Sequence, residues 1–243
     1  MSEPIIIVPE GINNADIKKA QDRLKKGGQY RDLSTVIVCP TRGVIPARVV
    51  ESWMNLMRPM NNKVYGPIFV AGAEVGAAYQ TAMEMILSSA LKDWKYMLTL
   101  EEDNMPPADG LLKLYESICQ CPKLCTDHYA AVGGLYWTKG EGTGQPMIYG
   151  NAKAMLTFEP QIPLPDKVQE CNGLGMGFTL FRLDMFRDKS IEQPWFKSLQ
   201  STTEGQGTQD LYFFGKARKA GYRVASDNRV KVGHYAYEED RVY

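Results

Sequence analysis

Residues 96–107, Tyr96-Met97-Leu98-Thr99-Leu100-Glu101-Glu102-Asp103-Asn104-Met105-Pro106-Pro107, join an apolar, strand-like run to three consecutive carboxylates and a Pro-Pro stop. A buried-type strand that ends abruptly in charge suits an open α/β sheet, where ligands bind beyond the carboxyl ends of the strands. Three acids at such an end repel one another, and a cation relieves the repulsion. A hard divalent metal held by one or two carboxylates, with substrate phosphates at its other positions, suits that chemistry. Period-two alternation puts Glu101 and Asp103 on one face and Glu102 on the other. One face can then supply both a metal ligand and an acceptor for a ribose hydroxyl. The plain alternative is a solvated acidic turn; the apolar run in front of it argues for a site.

The segments around this feature alternate. Residues 35–39 are an apolar, β-branched strand broken by Pro40-Thr41-Arg42-Gly43, and a helix over about 46–57 follows, with Pro46 suited to its first turn. Residues 64–71 read as a second strand and 75–92 as a long helix. After the acids, Asp109 caps a helix over 110–119, and 130–136 is another strand. This β-α-β-α-β-α-β order predicts an α/β fold, a Rossmann-type mainly parallel sheet with helices on both faces. The second half is less regular: a Pro-rich connection at 151–166 and a polar loop at 201–208 suit substrate lids on one sheet edge. The expected organisation is an N-terminal extension, residues 1–33, and a single domain, 34–243, divided into a regular first half at 34–137 and a less regular second half at 138–243.

Composition excludes some classes. Lys+Arg 28 balances Asp+Glu 28, so no global field draws the protein to nucleic acid or anionic membrane. A local basic patch remains open in the expected helix at 14–26, which carries Lys18, Lys19, Arg23, Lys25 and Lys26; phosphate contact and a solvated face are its two readings. No apolar run reaches the length of a membrane span, and the N-terminus lacks a signal-type pattern, so a cytoplasmic protein is expected. Cysteine usage agrees with a reducing compartment, with an odd count of 5. Cys119, Cys121, Cys125 and His128 offer a zinc-like cluster without the usual two-residue gaps, and incidental thiols at a helix end are the simpler reading.

Further pieces can complete an active site. Asn172-Gly173-Leu174-Gly175-Met176-Gly177-Phe178 lacks dinucleotide-fingerprint spacing; its glycines let backbone approach a ligand closely or form a tight turn. Asp210 opens a helix at 209–220, either as a favourable N-terminal charge or as a general base. His234 ends the strand-like Val230-Lys231-Val232-Gly233; imidazole suits Mn²⁺ among the hard metals. Trp137 and Trp195 can stack on sugar or base faces, against the plainer reading as core aromatics.

In order, Val36-Ile37-Val38-Cys39-Pro40-Thr41-Arg42-Gly43, Glu74-Val75-Gly76-Ala77-Ala78-Tyr79-Gln80 and Leu100-Glu101-Glu102-Asp103-Asn104 resemble the nucleotide-sugar half of GT-A glycosyltransferases, family-2-like. Ala131-Val132-Gly133-Gly134-Leu135-Tyr136, Gly175-Met176-Gly177-Phe178, Thr208-Gln209-Asp210 and Gly233-His234 continue that order, so the resemblance spans about 34–234. It implies a GT-A fold, Mn²⁺ or Mg²⁺, and a nucleotide-diphosphate sugar, UDP- or GDP-sugar first, as donor. By position it implies that Pro40, Thr41 and Arg42 line the base and ribose pocket, with Glu74, Glu101, Glu102, Gly175 and Gly177 also on the donor. Asp103 and His234 become metal ligands, Asp210 the catalytic base, and Trp137 and Trp195 acceptor contacts. Glu-Glu-Asp departs from the family's commoner D-x-D, Gln209-Asp210 from its Glu-Asp, and Tyr79-Gln80 from its Arg-Asn.

Two other classes compete. A sugar nucleotidyltransferase has related architecture but typically carries a Gly-rich G-x-G-T-R loop after its first strand, where this chain has Cys39-Pro40-Thr41-Arg42-Gly43. A non-catalytic sugar- or nucleic-acid-binding module needs neither metal nor base. Within the transferase reading, the resemblance to short viral members suggests a hydroxymethylated base or sugar on phage DNA as acceptor, in a host cytoplasm.

Overall fold

The computed structural model describes residues 32–59, 63–118, 128–140, 144–201 and 205–243. The strand and basic helix expected near the N-terminus, and Cys119, Cys121 and Cys125, lie outside the described residues. The first strand, β1 (Thr35–Thr41), is buried at every position through Pro40. A strand covered on both faces reads as a continuous apolar run, and this one does. It lies parallel between β2 (Val64–Ala71) and β3 (Tyr96–Leu100). Helices α1 (Ala47–Met54) and α2 (Val75–Ser88) make the two crossovers, and α3 (Gly110–Ile118) precedes β5 (Tyr129–Leu135).

Strands β6 (Ile148–Asn151), β7 (Val168–Leu174), β8 (Phe178–Arg182) and β11 (Arg223–Lys231) complete an 8-stranded sheet in the order β2-β1-β3-β8-β5-β11-β7-β6. Six of the eight run one way; β8 and β7 are reversed, each antiparallel to both of its neighbours. The sheet is therefore mainly parallel in direction, as expected from sequence. Alternation along β1 sends Val36 and Val38 to one face and Ile37 to the other. The first face is covered by Tyr79, Ala82, Met83 and Ile86 of α2 and by Phe213, Phe214 and Ala217 of α4 (Gln209–Lys219). The second is covered by Leu111, Leu114 and Ile118 of α3.

A second, 3-stranded sheet decides where the site forms. It pairs β4 (Asn104–Met105) with β12 (Gly233–Ala236), and β12 with β13 (Arg241–Val242). Two expectations about the second half are corrected. Asn172, Gly173 and Leu174, read as part of a glycine segment for close approach or a tight turn, belong to the strand β7. The loop expected at 201–208 is in part an antiparallel pair, β9 (Leu199–Ser201) with β10 (Gly205–Gly207). The Pro-rich connection is irregular, as its composition predicts, apart from a single bridge between Tyr149 and Pro160.

Candidate active site

Parallel strands bring their carboxyl ends to one edge, and β1, β3 and β5 end there in Thr41, Leu100 and Leu135. The acids follow β3 at that edge. Although the strand stops at Leu100, the three side chains still divide as alternation predicts. Glu102 turns towards the loop after β1, accepting hydrogen bonds from Thr41 Oγ1 at 2.7 Å, the Arg42 backbone N–H at 2.8 Å and Arg42 Nε at 2.5 Å. Burial alone would raise its pKa, but these donors outweigh it and hold Glu102 below the usual carboxylate range. The Thr41 hydroxyl also accepts from the Gly43 N–H at 2.9 Å. Two backbone amides of this loop are thus engaged by side chains of the protein, and Glu102 acts as a brace for the loop. Pro40 is buried in β1, while the Arg42 side chain is 80% exposed.

Asp103 points to a different set of partners. Its Oδ2 lies 2.5 Å from Lys139 Nζ and 3.5 Å from His234 Nε2. The sequence separates Asp103 and His234 widely; the pairing of β4 with β12 joins them. His234 is in register with Asn104, and the Tyr235 N–H donates to the Asp103 carbonyl at 2.8 Å. The other ring nitrogen, Nδ1, is 2.7 Å from the Trp137 carbonyl. A carbonyl only accepts, so Nδ1 carries the hydrogen there, which leaves Nε2 as the ring nitrogen that faces Asp103. Metal-ligating histidines are oriented in this way by their outer nitrogen. Burial acts to raise the Asp103 pKa, yet hydrogen bonds and charge from His234 and Lys139 prevail and take it down to about 2.

Glu101 has the opposite balance. Burial first, then the Asp103 charge, push its pKa up to about 8, and the hydrogen bond from Tyr79 Oη at 2.9 Å offsets this only in part. The charge on Asp210 adds to the same upward push. Asp210, at 4% exposure, sits in the first turn of α4 with Oδ1 accepting the Leu211 N–H at 2.8 Å. Burial raises its pKa, against those local hydrogen bonds. Tyr149 is pushed up to about 12 by burial and by the Asp210 charge. Glu101, Asp103 and Asp210 therefore form one electrostatically connected group of acids at the sheet edge, with Lys139 opposing the charge at Glu101 and Asp103.

Gly175 and Gly177 join this edge from the turn between β7 and β8. A Cβ on Gly175 would land on the Tyr136 hydroxyl, and one on Gly177 on the Asn104 side-chain amide. The Gly177 N–H donates to Tyr136 Oη at 2.9 Å, and its carbonyl accepts the Glu101 N–H at 3.0 Å. The close approach that requires glycine here is to the protein's own side chains, which hold the acidic segment in place. Gly177→Ala is expected to lower stability by about 1–3 kcal/mol, the range for forcing atoms into a packed core. Denaturant midpoints of the variant and parent check this.

Glu74 caps α2: its Oε2 accepts the Ala77 N–H at 3.1 Å, and Ser198 Oγ donates to its Oε1 at 2.7 Å. Trp137 contributes its carbonyl to His234 and is partly buried. Trp195 is a correction to the expected acceptor platform. It is 4% exposed, lies edge-on to Phe186, and donates its indole N–H to the Ile191 carbonyl at 3.2 Å. It is a core residue. Its backbone N–H, like that of Phe196, donates to Gln80 Oε1. Lys139 and Tyr79 were missed as site residues. Lys139 had one signal, its place just past the end of strand β5, where ligand-facing residues collect.

The donor set fits a divalent cation of the hard kind. Two ligands each about 2.1 Å from one ion stand about 3–4 Å apart, which the 3.5 Å between Asp103 Oδ2 and His234 Nε2 satisfies. Among the described residues, no three His, Cys, Asp or Glu side chains converge to hold an ion unaided, so substrate oxygens would have to complete the shell. The zinc reading of Cys119, Cys121, Cys125 and His128 falls mainly outside the described residues.

No family model and no curated protein sequence matches the chain. Solved structures do. A197 from STIV superposes over 86% of this chain and 92% of its own, with TM-score 0.59 and 18% identity. GalNAc-T7, solved with UDP, GalNAc and Mn²⁺, matches 85% of this chain and 44% of its own, with TM-score 0.55 and 10% identity. S. aureus TarS 1-349 matches 82% of this chain and 60% of its own at TM-score 0.46 and 13% identity. At these identities the likeness is one of fold, and the fold is GT-A-like.

Proposed function

We propose that this chain is a divalent-cation-dependent glycosyltransferase that moves a sugar from a nucleotide-diphosphate sugar to an acceptor hydroxyl. The observation that carries the reading is the meeting of Asp103 and His234 at the sheet edge, with Nε2 freed towards Asp103 by the Nδ1 contact to Trp137. The ordered family-2-like motifs support it. So does the GT-A-like fold, and UDP, the nucleotide in the GalNAc-T7 structure, is the first donor base to test.

Asp103 and His234 would hold the cation, which when bound stabilises negative charge on the departing diphosphate. Thr41 and Arg42, fixed by Glu102, form the wall of the base and ribose pocket. Asp210 takes the proton from the acceptor hydroxyl as it attacks the anomeric carbon from the opposite face. Its buried carboxylate, with a raised pKa, is a stronger base than an exposed one. The nucleotidyltransferase alternative is disfavoured by the loop after β1: a phosphate cradle presents free backbone N–H groups, and here those of Arg42 and Gly43 are engaged by Glu102 and Thr41. The basic segment on which a DNA acceptor rested lies outside the described residues, so the acceptor is named only as a hydroxyl. Among the described residues no helix is long and apolar enough to cross a membrane.

A thermal-shift panel of UDP-, GDP-, CDP- and dTDP-sugars with Mn²⁺ tests the donor class, because a ligand of the folded state raises Tm by mass action. One nucleotide series should raise Tm with Mn²⁺ and lose the effect with EDTA; no shift for any series contradicts the reading. His234→Ala is expected to weaken Mn²⁺ affinity about tenfold, about 1.4 kcal/mol. An unchanged Mn²⁺ titration would return His234 to a purely structural role.

A further inference from the structure

Lys139 is used by neither the motifs nor the proposed chemistry, yet it makes the shortest contact to Asp103, 2.5 Å from Nζ to Oδ2. Its place is built. Trp137 bridges to Pro146, the Thr138 N–H donates to the Gln145 carbonyl at 2.8 Å, and the Gln145 N–H donates back to Thr138 Oγ1 at 2.9 Å. This ladder folds the segment that carries Lys139 back on itself directly after β5. The Trp137 carbonyl in the same segment orients His234. One short stretch after β5 thus positions both groups that face Asp103 Oδ2.

We propose that Lys139 is an exchangeable counter-cation: it occupies Asp103 until a divalent ion arrives with a nucleotide diphosphate, then transfers its ammonium to the diphosphate oxygens. This rests on the glycosyltransferase reading. Lys139 Nζ and a metal ion cannot both stay in close contact with the one oxygen, because two positive groups would be forced together. The ammonium displaced from Oδ2 is left beside a ligand that brings at least two negative charges. A Lys ammonium on its flexible stem suits such a change of partner, being a point charge without the fixed fork of Arg. The consequence is ordered binding. Lys139 weakens the metal ion alone and strengthens the metal with diphosphate, so the site fills when substrate is present.

The test is Lys139→Met, with Lys139→Arg as a control that keeps the charge. Free Mn²⁺ is read by electron paramagnetic resonance without nucleotide, and UDP affinity by calorimetry at saturating Mn²⁺. The expected result has opposite signs: Lys139→Met binds Mn²⁺ about tenfold more tightly and UDP about tenfold less tightly, a size usual for coupling between two bound groups. Lys139→Arg should stay near the parent in the Mn²⁺ titration. A residue that merely supports the loop would weaken both ligands or neither, and either outcome overturns the proposal. Absence of Mn²⁺ binding by parent and Lys139→Met alike also overturns it. The glycosyltransferase reading is judged separately, by the Mn²⁺-dependent Tm shift of the parent with nucleotide sugars.

Discussion

Asp210→Asn is expected to lower kcat by about 10²–10⁴-fold, the usual contribution of a general base, with Mn²⁺ and nucleotide affinities nearly unchanged. The asparagine keeps the size and the hydrogen bond with the Leu211 N–H but cannot accept a proton. A second signature comes from burial, which raises the Asp210 pKa above its ordinary value of 3.8. The base works only when ionised, so kcat should fall as pH drops through that raised value, and the acid limb due to Asp210 should be absent in the variant. If Asp210 were only a favourable charge at the start of α4, its replacement would cost under about 1 kcal/mol of stability and leave kcat intact. Turnover of the variant at the parent rate would assign the proton to another group, or the reaction to a retaining course in which Asp210 only positions substrate.

Asp103→Ala is expected to abolish transfer and to remove the metal dependence of nucleotide binding while the protein still folds. The side chain accounts for both contacts to Lys139 and His234, whereas the backbone of Asp103 is held independently by the Tyr235 N–H. Removing the carboxylate also relieves Glu101, whose pKa is pushed up to about 8 by burial and then by the Asp103 charge. A cooperative unfolding transition close to the parent's, with no response of UDP affinity to EDTA, is the predicted pair of observations. Full activity in Asp103→Ala would remove the metal assignment.

The first half of the fold was legible because β1 and β3 are buried, continuous apolar runs and the edge strand β2, though half exposed, is also mostly apolar. Tyr96–Leu100 and Val64–Ala71 have the boundaries expected from apolar runs alone. The second half was not, because its strands carry polar residues whose partners are distant in sequence. In β11, Ser226, Asp227 and Asn228 are all buried. Asp227 is held by Arg229 and Ser117, and Asn228 bonds to Gln169 of β7 and to the Leu164 carbonyl. Each polar group satisfied in this way can sit in a sheet interior, yet in the sequence such a stretch reads as a loop.

The site divides along the same line. The faces of Glu101, Glu102 and Asp103 followed from alternation, and the partnership of Asp103 with His234 matched the order of the motifs. The brace that Glu102 applies to Thr41 and Arg42, and the seat of Lys139 on Asp103, depend on how separate loops fold back. For Trp195 the sequence left stacking on a sugar or base beside the plainer core reading, and the packing on Phe186 and the hydrogen bond to Gln80 decide for the core.

The central claim is that this edge of the sheet binds and activates a nucleotide-diphosphate sugar through a divalent cation. The most direct measurement is release of free nucleotide from the donor that scores in the thermal-shift panel, followed with water as the acceptor. The account predicts slow hydrolysis with Mn²⁺ that stops on addition of EDTA, returns when Mn²⁺ is restored, and is missing in Asp103→Ala. Nucleotide release at the same rate with and without chelator, or undiminished in Asp103→Ala, would contradict it.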